Sequence, residues 1–345
     1  MSAPRKTTPK ANSKSKANTR TKRVWSQGMD PKVGAVLSAG REDIRYLTGF
    51  SGSEALLLLT RDRGFLVVDS RYTNQARSEC VGVSVVESSD RMREIPRVAG
   101  RAGLKRVGFE PRQLTVFQFE ELRKNGDIEW LPLAENLSRI RQKKDKGEKR
   151  LLIKAAKISS NAFLGILGDI KAGMEERAVS MLLEFRMKKS GAEGTPFPFI
   201  VASGKRGAMP HGLASGKQIR KGEFVTVDFG AIYGGYCSDE TCTVVVGKPT
   251  EKQKSVYRVV KEAHDRAINK VRPGAERKKI DRAARDVIEK AGLGKYFGHG
   301  TGHGVGLAVH EEPRIAPRQK GAVEEGMVFT IEPGVYIPGW GGRKD

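Results

Sequence analysis

EFVTVDFGAIYGGYCSDETCTVVVG, residues 223–247, decides the fold. Two β-rich runs flank a Tyr-Gly-Gly stretch, the pattern of a β-hairpin turning near Tyr233–Gly235. Phe224, Thr226 and Asp228 share one face of the first strand. A turn centred on Gly234-Gly235 sets residue 230 opposite 239, so Asp228 and Asp239 lie diagonally on the same face. Strands disfavour Asp. Two carboxylates a few ångströms apart repel unless a proton or a cation lies between them. The bland alternative is a pair of exposed strand aspartates.

A second stretch bears on that choice. GHGTGHGVGLAVHEEP, residues 298–313, has Gly at nearly every second position at its start, which lets backbone approach closely. It holds His299, His303 and His310. Strand alternation alone would put His303 and His310 on opposite faces, so a bend must turn them together. A lone His is usually a satisfied core residue; three in twelve residues among glycines point to metal binding or proton transfer. His211 lies in another Gly-rich segment, whereas His264, in a polar helix, reads as exposed.

Working outward, strands and helices alternate from Val33 to about residue 126, giving an α/β domain over 28–140. A charged linker then becomes a long amphipathic helix within 139–170. In the remaining domain, 141–345, residues 171–194 and 272–294 echo one another: Gly173 aligns with Gly274, Glu175 with Glu276 and Val179 with Ile280. The echo implies two helix pairs related by a pseudo-twofold.

Net charge is +23; the first 23 residues hold eight Lys and Arg and no acid, so the remainder still carries +15. Residues 1–27 read as a disordered basic tail without a secretory core, of the kind that attracts a polyanion such as nucleic acid. No apolar run reads as long enough to span a bilayer, so no membrane partner is expected. Three cysteines, Cys80, Cys237 and Cys242, form no disulfide or zinc pattern, and the default compartment is the reducing cytoplasm.

The hairpin, the His-Gly run and FTIEPGVYIPG (329–339) together resemble the two-metal peptidases of the pita-bread fold, in particular the Xaa-Pro aminopeptidase and dipeptidase branch. Residues 198–222, PFIVASGKRGAMPHGLASGKQIRKG, are similar to the segment supplying that branch's proton-handling histidine. DIRYLTGFSGSEALLLLT (43–60) and DSRYTNQA (69–76) resemble the creatinase-like N-terminal domain. The resemblance covers about residues 30–345 and implies an α/β N-terminal domain followed by a pseudo-twofold catalytic domain.

The resemblance further implies that Asp228, Asp239, His303 and Glu332 hold two divalent ions, manganese first, with cobalt, zinc or iron also suited. Asp239 and Glu332 would bridge the ions, and Glu332 would be the general base for attack by a bridging hydroxide on an Xaa-Pro bond. His211 and His310 would contact substrate and oxyanion, and His299 would line the substrate pocket. A homodimer acting on peptides with proline at the second position is expected. The motifs do not separate an aminopeptidase from a dipeptidase. A catalytically impaired pita-bread module that binds protein or nucleic acid is the competing implication.

The family places a second Glu ligand fourteen residues after the first, which is position 346, one beyond Asp345. The last strand therefore reads as incomplete. A one-residue shift after Gly342 would instead bring Arg343 and Asp345 to face the ions.

Overall fold

Burial of uninterrupted apolar strands organises the N-terminal part of the chain. The computed structural model describes residues 19–26, 31–133 and 137–344. The chain divides into two units between Arg141 and Gln142. In the first, a six-stranded mixed sheet has the order β4 (Ser84–Glu87), β3 (Gly64–Val68), β2 (Leu56–Thr60), β1 (Ala35–Ser38), β5 (Arg106–Phe109), β6 (Glu129–Pro132). The central strand β1 runs antiparallel to β2 and parallel to β5. Leu56, Leu58, Val67 and Val107 pack with Ile95, Val98 and Leu122 from the helices α4 (Arg91–Arg101) and α5 (Val116–Lys124).

The expected tail lies mostly outside the described residues. Residues 19–26 of it form a helix (α1), which corrects the reading of disorder through residue 27. Tertiary contacts outweigh its weak periodicity. Val24 is buried, Arg23 Nη1 donates to the Tyr46 hydroxyl at 2.9 Å, and Trp25 Nε1 donates to the Thr60 carbonyl at 3.2 Å.

Asp43 sits in helix α2 (Arg41–Thr48) and is almost fully buried. Its Oδ1 accepts from Arg141 Nε at 2.9 Å and its Oδ2 from Gln113 Nε2 at 2.5 Å. Gln113 Oε1 in turn accepts from Ser38 Oγ and from the backbone N–H groups of Ala39 and Gly40. Each carboxylate oxygen thus has a partner, and the partner is itself held.

In the second unit the echo becomes architecture. Helices α6 (Lys146–Ile166) and α7 (Glu176–Lys189) form one pair, and α8 (Glu251–Ile268) and α9 (Arg277–Lys290) form the other. Gly173 and Gly274, each three residues before a helix, adopt φ of 93° and 86°. The backbone then ties each entry to a later strap: Gly173 N–H donates to Ile219 O, and Gly274 N–H to Val323 O, both at 2.9 Å. Each pair has its own core. Ile158, Phe163, Val179 and Leu183 pack beneath Val225 and Val227; Val256, Val260, Ile280 and Ala284 pack beneath Ile315 and Val335.

The segment Lys146–Asp169, α6 and the turn after it, is long and apolar enough to cross a membrane by length and composition alone. Charged residues interrupt it, so no uninterrupted apolar run of that length arises, as the sequence reading has it. Its stripe of Ile158, Ala162, Phe163 and Ile166 is buried in the core of its own unit.

Candidate metal centre

Three short hairpins carry the centre. The first grows from strand β8 (Phe224–Phe229), which pairs with β11 (Glu240–Val245) and with β7 (Ile200–Ser203). Phe229 opposes Glu240, and Tyr233 opposes Tyr236 across the tip strands β9 (Ile232–Tyr233) and β10 (Tyr236–Cys237). Gly234 and Gly235 take φ of 59° and 79°, the paired left-handed geometry that an L side chain resists and a tight hairpin needs. Their N–H groups both donate to the Glu193 carboxylate. The turn thereby fixes the register that puts Asp228 and Asp239 on one face.

The second hairpin pairs β12 (Gly302–Gly304) with β13 (Glu311–Ile315). Its register shifts between His303 and Gly304, and this irregularity turns His310 back toward His303, with ring centroids 4.3 Å apart. A Cβ on Gly302 would run into the Thr330 carbonyl, and one on Gly304 into the Glu312 carbonyl, so the bend admits only glycine. Behind the run, Asp281 accepts from the Thr301 N–H and hydroxyl, and Arg285 clamps Asp281 and the His299 carbonyl.

The third hairpin pairs β14 (Gly334–Ile337) with β15 (Gly341–Lys344), and Gly334 opposes Lys344. Glu332 precedes β14, held by its N–H to Thr301 O at 2.7 Å.

From these elements one cluster forms. His303 Nε2 lies 2.9 Å from Glu332 Oε1 and 3.3 Å from Asp239 Oδ2. His303 Nδ1 faces the Gly304 carbonyl at 3.1 Å, which directs its Nε2 at the carboxylates. Lys344 Nζ donates to Asp228 Oδ2 at 2.8 Å and lies 2.5 Å from Glu332 Oε2. Thus Glu332 gives one oxygen to His303 and the other to Lys344. Among the described residues Asp228 Oδ1 is buried with no hydrogen-bond partner.

Charge and burial shape the protonation states. Burial pushes Asp228 above the usual carboxylate range, although the Lys344 ammonium opposes it. Burial would lower His303, but the carboxylates of Asp239 and Glu332 outweigh it and lift the imidazole to about 10. For Glu332, burial is overcome by His303 and Lys344, which hold it well below the usual range. Loss of water and the neighbouring His303 charge lower His310.

The donor chemistry fits a divalent cation. Three carboxylates and an imidazole form a mixed O/N set, and ligand atoms of Asp239, His303 and His310 lie within 4.8 Å of one another. An unmet buried carboxylate oxygen is costly unless a cation serves it, and Asp228 Oδ1 is such an oxygen.

Not every expected residue joins the cluster. His211 lies in the loop after β7 with an exposed side chain and, among the described residues, no hydrogen bond from its ring. That loop is tied down by Glu176, which accepts from Ser203, Ser215 and Arg206. His299 is tied on both nitrogens, to Gly300 O at 2.7 Å and to the Tyr336 hydroxyl at 3.0 Å, and burial lowers its pKa. His264, expected to be exposed, is half-buried and lines a groove of about 420 Å³ that also takes in Asp239 and Glu332 of the cluster.

The shifted terminal register is corrected. Arg343 does not face the cluster; it is buried with its guanidinium 3.2 Å from the Tyr257 ring centroid. Lys344 faces the cluster instead, and Asp345 lies outside the described residues. Lys344 and Tyr336 were both missed. Lys344 was legible by the rule that paired Asp228 with Asp239: a turn near Gly339 sets 344 diagonal to 332.

Residues 150–344 match metallopeptidase family M24, and residues 20–143 match the creatinase/prolidase N-terminal domain. The Xaa-Pro dipeptidase of Pyrococcus horikoshii is 38% identical, over 90% of this chain and 88% of that protein. Among solved structures, the Xaa-Pro dipeptidase from Bacillus anthracis superposes with a TM-score of 0.91 at 39% identity, covering 95% of this chain and 93% of the other. The X-Pro aminopeptidase from Thermotoga maritima gives 0.87 at 35% identity, covering 95% and 92%.

Proposed function

The chain belongs to metallopeptidase family M24, and from that premise we propose that it is a metal-dependent exopeptidase that hydrolyses Xaa-Pro bonds. One observation carries the reading: Asp228, Asp239, His303 and Glu332 converge from three hairpins and leave a buried Asp228 oxygen unmet. The names of the similar proteins supply the substrate class. A prolyl nitrogen carries no hydrogen, so an enzyme for this bond cannot rely on recognising that N–H.

Asp228, Asp239, His303 and Glu332 are the residues that would hold the divalent metal, with manganese the first choice. When bound, such ions polarise the scissile carbonyl and lower the pKa of water. Glu332 reaches both halves of the cluster and accepts the proton of the attacking water. His310, kept neutral near pH 7 by its lowered pKa, donates a hydrogen bond to the oxyanion from beside His303. His299 and Tyr336 form a rigid polar wall, each bonded to the other. His211, exposed and with no hydrogen bond from its ring among the described residues, is left free to contact substrate. Three cysteines too few and too irregularly spaced for a disulfide framework support a cytoplasmic home, and the family resemblance supports a homodimer.

The test is hydrolysis by the purified chain, loaded with Mn²⁺, of an Xaa-Pro dipeptide, an Xaa-Pro-Yaa tripeptide and their Xaa-Ala counterparts. Release of Xaa from the prolyl substrates alone, abolished by chelator, is expected. The two prolyl lengths separate dipeptidase from aminopeptidase. Failure on both with Mn²⁺, Co²⁺, Zn²⁺ and Fe²⁺ would overturn the reading.

A further inference from the structure

Lys344 faces the cluster where the shifted terminal register would have brought Arg343 and Asp345. Its ammonium is nearly buried, with 13% of the side chain exposed, and it joins Asp228 to Glu332. Its backbone is fixed by pairing to Gly334, and its carbonyl accepts from Thr243 Oγ1 at 3.1 Å. The stem is therefore anchored, and the charge is delivered to two carboxylates at charge-assisted hydrogen-bond distance.

Resting on the metallopeptidase reading, we propose that Lys344 is a resident cation of the centre, competing with the second divalent ion for Asp228 and Glu332. The chain then takes one ion tightly, on the Asp239–His303 side, and admits a second only by displacing the ammonium. The two oxygens of Glu332 already show this division, Oε1 toward His303 and Oε2 toward Lys344.

Charge leads to the same count. Three carboxylates and one ammonium leave two negative charges when His303 is a neutral ligand, and one divalent ion neutralises them. A second ion beside a retained ammonium would place two excess positive charges in a site that water barely reaches, an arrangement burial penalises. Without the ammonium, three negative charges call for a second ion. Loss of Lys344 should therefore improve the fit of the second metal rather than harm it, the reverse of what a packing or ligand-supporting role would give.

The experiment titrates the full, metal-free 345-residue chain with Mn²⁺, reading stoichiometry by calorimetry and by metal analysis after dialysis. One tight equivalent is expected for the wild type and for Lys344→Arg, which keeps the charge. Lys344→Met should bind two, the second tightened about 100-fold, near the upper end of ordinary coupling between two ligands. Circular dichroism and melting of each variant separate misfolding from altered binding, and Lys344→Gln serves should the Met variant not fold. Two tight equivalents in the wild type, or one in a folded Lys344→Met or Lys344→Gln chain, would overturn the inference while leaving the peptidase reading intact. No ion in any form would overturn both.

Discussion

Asp43 in the first unit and Asp228 in the second are both buried aspartates, and burial raises the pKa of each. Their surroundings differ. Asp43 has both oxygens bonded, by Arg141 and Gln113, and Gln113 is itself held by three further donors. Asp228 shares one oxygen with a lysine that also serves Glu332, and its other oxygen has no hydrogen-bond partner among the described residues. Burial and a shifted pKa therefore do not by themselves mark a functional carboxylate. The discriminating sign is an incomplete set of partners among converging like charges, a cost that a fold retains where something else is to be bound.

The largest expected effect lies wholly on the second side of this contrast. Asp239→Ala should cut Xaa-Pro hydrolysis by at least about 10³-fold and abolish metal uptake, because loss of a ligand exceeds the 10–100-fold seen for groups behind ligands. Unchanged metal stoichiometry in that variant would rule out the ligand assignment. Next, Asp43→Ala should destabilise the first unit by about 3–5 kcal/mol, since it breaks the buried ion pair with Arg141 and removes the acceptor of Gln113 Nε2. Denaturant melts would measure this, and metal stoichiometry should stay at the wild-type value; an altered one would tie Asp43 to the centre.

Metal at 100 times its dissociation constant should stabilise the unit that binds it by about 2.7 kcal/mol. Hydrogen exchange should show the gain within 142–344 and not within 31–133; an equal gain in both would mean that the two unfold together. The smallest effect is expected for Asp228→Asn without metal. Two remaining carboxylates would then face Lys344 and His303, so stability should change by no more than about 1 kcal/mol, while the tight ion on the Asp239–His303 side is kept and the second is no longer taken up. A loss as large as that of Asp43→Ala would erase the contrast.

The sequence was most readable where glycine fixes geometry. The Gly234-Gly235 turn settles the register of the first hairpin, and the observed pairing of Phe229 with Glu240 follows from it. Gly173 and Gly274 likewise mark the two helix entries, because both take a left-handed conformation. It was least readable where tertiary contacts decide. Helix α1 has no strong periodicity and is held through Val24, Arg23 and Trp25. The position of His211 depends on a loop whose path is set by Glu176, a residue distant in sequence. Lys344 was overlooked for another reason. Attention to acidic ligands hides a cation that performs part of the same electrostatic task.

The two cores of the second unit also bear on how the protein is made. Asp228 and Asp239 belong to the hairpin of the first helix pair, and His303 and Glu332 to strands packed on the second. Each helix pair gathers most of its apolar partners from nearby sequence, so each can gain helical structure as it leaves the ribosome. Neither holds more than half of the cluster. A nascent chain thus cannot assemble the centre, or sequester scarce metal in a half-made form, until the second half has docked onto the first. The complete ligand set therefore exists only once the two halves of the second unit have folded together.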